Sequence, residues 1–240
     1  MSTQIRLNHC RQGRKLLLLL AFCALCNISM AQWAVGVGGG VASTSINRSH
    51  TDRIDEVYKS RLGFDIGVNA RYTVNSWLAV RADLALMQRN HRLQRQLNYI
   101  SSVYTDHINT YLMLPVMADF SFGGTQLRGH LYTGAFCGYW LSQHVKGMTY
   151  FMTDYEVFFN PQDEKRAFTT EDRRFNAGLA CGLGLSYGLT GCLDLNLDAL
   201  YYYDLLSHHK GYPHLEDYRY LNTASLTFGV TYKFKTHQEQ

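Results

Sequence analysis

Charged side chains recur in this 240-residue chain at even spacings. Arg81 stands two residues before Asp83, Asp194 and Asp198 flank Asn196 at the same spacing, and Asp65 keeps parity with Arg71. Residues two apart in an extended backbone share a face, so each group points one way. Asp119, Arg128, His130, Arg219 and Lys233 fall on the corresponding face of their own segments. The two signs are similar in number. Such a face can be closed by ion pairs across an interior, or it can line an ion path. Unpaired charge in a narrow interior is expensive. The spacing therefore predicts a polar network of Asp65, Arg71, Arg81, Asp83, Asp119, Arg128, Asp194, Asp198 and Arg219 inside the molecule.

Catalytic and ligand-binding patterns are sparse. Histidines gather at His50, His91, His144, His208, His209 and His214, and "SHHKGYPH" has the residue types of a metal site. No cysteine or fixed ligand spacing accompanies them. Asp204 near His208 has the composition of an acid–base dyad, but such residues are common in polar connections. No phosphate loop, nucleophile elbow or paired metal motif is present. The chain reads as a non-enzyme with no cofactor and no metal.

The elements that must position the charged face are strands. "LNTASLTFGVTYKF" (221–234) alternates strictly, setting Leu226, Phe228, Val230 and Tyr232 against Ser225, Thr227, Gly229 and Thr231. Segments 33–44, 61–74, 77–88, 109–122, 127–142, 174–188 and 192–204 share the pattern, which makes eight. "NS", "GGTQ" and "LTG" join three pairs of them as tight turns. The other connections, 45–60, 89–106, 143–173 and 205–218, are long and polar. Short turns at one end and long loops at the other mark an outer-membrane barrel, and each segment exceeds the roughly 9–11 residues a tilted strand needs to cross a bilayer. Aromatics cluster near strand ends, in Trp77, Phe120, Phe122, Tyr187, Tyr232 and Phe234 and again in Tyr201–Tyr203, where interfacial girdles lie. The expected fold is all-β, an eight-stranded antiparallel up-and-down transmembrane β-barrel with its greasy face on lipid. A soluble lipocalin-like barrel with that face inside would leave the loop asymmetry unexplained.

The first 31 residues read as a removed export signal, basic at Arg11, Arg14 and Lys15, apolar from Leu16 to Leu25, with Ser29 and Ala31 before the cut. Residues 32–240 then form one barrel domain. All 19 acidic residues follow the signal while 4 of the 23 basic ones lie in it, so the remainder is neutral and lacks the basic stripe of a nucleic-acid binder. Cys137, Cys181 and Cys192 remain, an odd number. A Cys137–Cys181 bridge is conceivable, but packing as small hydrophobes is the expected role.

"YLMLPVMADFSFG" and "RFNAGLACGLGLSYGLTGCLDLNLDALY", with Phe175, Gly178, Gly182, Gly184 and Tyr187 at its marked positions, resemble the Bacteroidetes-type outer-membrane β-barrel proteins of the porin or PorT-like family. The closing "FGVTYKF" fits as well, although "KTHQEQ" follows the aromatic at which such barrels often end. The resemblance implies an outer-membrane barrel with periplasmic termini and, for PorT-like members, an accessory role in type IX protein secretion. Its partners would be outer-membrane lipid and envelope or secretion proteins met through the four long connections. Tyr111, Met113, Met117, Tyr132, Phe136, Trp140 and Tyr202 point inward and predict a plugged lumen, with Gly63, Gly67, Gly182 and Gly184 leaving some room. The alternative is a small porin for ions or small solutes.

Overall fold

The computed structural model describes residues 33–48, 56–97, 100–152, 157–170, 172–207 and 219–234. The segment read as an export signal and His50, His208, His209 and His214 lie outside them. The strands are β1 (Trp33–Arg48), β2 (Glu56–Thr73), β3 (Leu78–Gln88), β4 (His91–Leu97), β5 (Ile100–Gly123), β6 (Leu127–Met152), β7 (Val157–Arg166), β8 (Phe175–Gly188), β9 (Leu193–Asp204) and β10 (Arg219–Lys233).

Eight of them close a ring, β1-β2-β3-β5-β6-β8-β9-β10, and antiparallel pairing of β1 with β10 seals it. The other two are continuations. β4 runs on beyond β3 and fills the same place between β2 and β5. β7 runs beyond β8 and pairs with the upper half of β6. The wall is therefore an eight-stranded barrel with two interrupted strands. Closure leaves no edge within the ring, which a bilayer requires.

Alternation assigns the faces as the pattern predicted. Ile66, Val68, Leu183 and Phe228 are more than half exposed on the outside, while Met113, Met117, Tyr132 and Tyr202 are buried inside. The exposed apolar set and the buried one follow from one cause, a wall whose outer face meets lipid in place of protein. At the turn end Trp33 packs on Tyr72 and Trp77 on Phe120, with ring centroids 5.2 and 6.0 Å apart. The turns are held locally. Asn75 Oδ1 accepts from the amides of Trp77 and Leu78 at 3.1 and 2.8 Å, and Gly123 takes φ +116°, open to glycine without strain.

Three of the predicted loops are mostly wall. Residues 45–48 and 56–60, 91–97, 100–106, and 143–152 and 157–166 are strand. The reason lies in two irregularities. Between Asp65↔Met87 and Ser60↔His91, residues 61–64 of β2 face only 88–90, so β2 carries an extra residue. The β5–β6 register shifts between Thr110 and Tyr111. Each bulge re-aims the side chains beyond it. Above them the alternation disappears although the strands continue, and exposed Val57, Met148, Phe158 and Phe159 stand among exposed Lys59, Lys146 and Asp163. Of 205–218, residues 205–207 are described and not in a strand.

Candidate functional site

The inward faces converge on a filled lumen in layers. Nearest the turns, Arg71 bonds Asp119, and His130 joins Asp119 through Nδ1 and Ser186 through Nε2, each at 2.8 Å. Arg71 Nη2 also lies 2.8 Å from Nδ1. An arginine only donates and a carboxylate only accepts, so Nδ1 serves one of them at a time. Asp119, His130 and Ser186 stand in the order of a nucleophilic triad. Yet Ser186 lies on regular strand β8 and is 3 % exposed. Asp194 pairs with Lys233 beside them.

At mid-barrel Arg81 bridges two carboxylates, Asp83 at 2.8 Å and Asp198 at 2.7 Å, under the ring of Tyr132. Tyr132 donates its hydroxyl to the other oxygen of Asp198 at 2.9 Å. Arg81, Asp83 and Asp198, with Asp65 and Asn196, border a polar cavity of about 40 Å³. That is room for about one water, which such donors and acceptors would hold.

An apolar collar follows, built from Met87, Met113, Phe136, Leu200 and Tyr202, with Phe136 edge-on to Tyr202 at 5.4 Å. Above it Arg89 is fully buried. Its Nε donates to Thr223 Oγ1 at 2.8 Å, its Nη2 donates to Asp204 Oδ1 at 2.7 Å and to the Leu221 carbonyl, and Tyr111 lies beneath it. Asn176 donates to the second Asp204 oxygen at 2.7 Å. Trp140 stacks on Tyr111, and Phe168, from the segment linking β7 to β8, sits edge-on to Trp140 at 4.9 Å and closes the top.

The lumen thus brings together Asp65, Arg71, Arg81, Asp83, Asp119, Asp194 and Asp198. Arg128 does not join them. It is exposed at the β5–β6 turn and caps the Gly124 carbonyl at 3.1 Å, because its position is beyond the last closed layer. Arg219 opens β10, and its side chain lies outside the described residues. The predicted network missed Arg89 and Asp204. Both continue the parity of runs already identified, Arg81-Asp83-Ala85-Met87 and Asp198-Leu200-Tyr202, so extending those runs by one step would have found them. Asp204 is held by Arg89 and Asn176, and the His208 considered as its dyad partner is outside the described residues.

The glycines leave less room than expected. A Cβ at Gly184 would lie 2.5 Å from Asp198 Oδ1 and from the Tyr132 hydroxyl, and one at Gly67 would lie 2.8 Å from Ala85 Cβ. Neighbours already occupy that space. Cys137 and Cys181 are free; Cys181 lies opposite Thr133, four residues from Cys137, or about 13 Å along the strand against the roughly 7 Å a bridge can span. Among the described residues no group of His, Cys, Asp and Glu is arranged to hold a metal ion.

Residues 27–209 match the family model described as outer membrane protein beta-barrel domain. In solved structures, OprG of Pseudomonas aeruginosa is similar at 13 % identity and TM-score 0.53, over 85 % of this chain and 97 % of that one. Neisserial surface protein A is similar at 17 % identity and TM-score 0.46, with the same coverage. The OprG likeness shows the fold. No curated protein matches in sequence.

Proposed function

The chain belongs to the outer membrane protein beta-barrel domain family, and from that premise we propose that it is a closed, non-enzymatic barrel that carries surface hairpins. The observation that supports this reading is the lumen itself. Trp140, Tyr111, Tyr132, Met113, Met117 and Arg89 are fully buried across it, and an eight-stranded ring is only wide enough for such side chains. The buried Asp119–His130–Ser186 order ties three strands together, out of reach of a substrate. What the barrel offers outside is the β4–β5 and β6–β7 hairpins, which project beyond the spanning part. In this reading the short turns and both termini face the periplasm, and the hairpins face outward. A PorT-like accessory role in protein secretion, or another envelope interaction, would run through those hairpins.

Refolded protein in a planar bilayer tests the closed lumen. The expected record is flat, with no steady conductance. Porin-like openings that shrink when Gly182 or Gly184 is enlarged would replace this reading with the small-porin alternative.

A further inference from the structure

The outward face of the hairpins carries charges in register. Lys59 on β2 lies opposite Arg92 on β4, Arg92 opposite Asp106 on β5, Asp106 opposite Lys146 on β6, and Lys146 opposite Asp163 on β7. The β2 bulge adds one more cation. Arg61 comes out to this face and places Nη1 2.5 Å from Asp106 Oδ2. Arg92 grips the same carboxylate with two nitrogens, at 2.6 and 3.0 Å. One carboxylate therefore serves two guanidiniums, and Lys59 has no acidic partner among the described residues. The row holds more positive than negative charge.

Its height matters. Arg61 adjoins Leu62, the first member of the lipid-facing column of β2 and 67 % exposed. Arg92 lies over the ring of Tyr104 at 4.3 Å, and Tyr104 is itself exposed. Cations on aromatic rings directly above an apolar band stand at the headgroup layer, where the anions are lipid phosphates. A guanidinium fork matches a phosphate with two hydrogen bonds.

We propose that Lys59, Arg61 and Arg92, with Tyr104 as a platform, form a binding site for the phosphate of an outer-leaflet glycolipid headgroup. The assignment rests on the hairpins facing outward, as proposed above, but not on the lumen being closed. A conducting barrel would leave it standing.

Folded protein in detergent is mixed with bisphosphorylated lipid A, with its dephosphorylated form, or with inorganic phosphate, and bound lipid is read by native mass spectrometry. Retention of the phosphorylated lipid is expected at least tenfold above the dephosphorylated one, falling as salt rises. Arg61→Gln with Arg92→Gln should reduce it to the dephosphorylated level. Should that double variant fail to show the folded gel mobility, Lys59→Gln alone, at an exposed position, should still lower retention severalfold. Equal retention of the two lipids, unchanged retention in the folded variants, or inorganic phosphate binding as well as the lipid would overturn the proposal.

Discussion

Two arginines are buried in the lumen on one strand line, eight residues apart, and they are compensated differently. Arg81 lies between Asp83 and Asp198 and borders the small polar cavity. Arg89 has one carboxylate, Asp204, and its Nη1 is buried with no hydrogen-bond partner among the described residues. Residue type, parity and burial are shared. What differs is the number of anions and access to water. A buried charge is tolerated according to what remains after one partner is taken away. By that measure the lower site is redundant and the upper one is not.

The comparison breaks most directly at Asp204. It accepts from Arg89, from Asn176 and from the Leu221 amide at 3.3 Å, so it ties β8, β9, β10 and the β3–β4 junction together. Asp204→Ala leaves a dry guanidinium without an anion, and the expected loss is about 3–5 kcal/mol. Urea unfolding in lipid vesicles measures it. A loss no larger than that of Asp198→Ala would show that the two sites are alike.

An arginine on the other face of the wall sharpens the point. Val68 is 52 % exposed at mid-strand among lipid-facing neighbours. Val68→Arg should cost roughly 2–4 kcal/mol, since neither water nor carboxylate is at hand there. Asn69→Arg turns the same group into the polar lumen, near Asp83 across the strand pair. Its loss should be clearly smaller. Equal or reversed losses in the same vesicle assay would mean that the faces are wrongly assigned.

Much of this was legible in the sequence, and the reason is physical. Between the turns and the bulges one face meets lipid and the other the lumen, so a period of two is enforced residue by residue. Ile66, Val68 and Ala70 against Asp65, Gly67 and Asn69 are the plainest case. Legibility stops where lipid stops. Arg61 changed faces at the bulge, and nothing in "KSRLGF" marks the extra residue. The β6–β7 hairpin mixes polar and apolar residues on each face, Lys146 and Asp163 with Met148 on one and Val145 with Glu164 on the other, so no period of two emerges. Arg89 was lost for the opposite reason: it kept its phase, but the polar "QRNHR" around it looked like the start of a loop.

At the lower site the expected change is milder. Asp198→Ala removes the 2.7 Å bond to Arg81 and the Tyr132 contact, yet Asp83 still holds the guanidinium and the adjoining cavity can admit water. A loss of about 1.5–3 kcal/mol fits one charged hydrogen-bond partner removed from a site that keeps another. Combining it with Asp83→Ala should exceed the sum of the two single losses, because only the pair strips Arg81 of all compensation. Simple additivity would argue that each carboxylate acts alone.

The smallest effect belongs to a carboxylate in water. Asp163 on β7 is exposed, with His144 Nε2 at 2.6 Å and Lys146 Nζ at 3.3 Å. His144, then Lys146, holds its pKa below the ordinary value of 3.8. A carboxylate shifted this way contributes stability above 3.8, and the contribution disappears as pH falls through the folded-state value. Water screens the pair, so nothing comparable to Asp204 is expected. Asp163→Asn should lower the urea midpoint at pH 7 only slightly, far less than Asp204→Ala does, while an NMR titration of the native carboxyl should report a midpoint under 3.8. A midpoint at or above that value would mean that His144 and Lys146 do not hold it in solution. A urea midpoint lowered as far as by Asp204→Ala would mean that the exposed hairpin contributes to the barrel's stability as the buried layers do, and the contrast between wet and dry partners would fail.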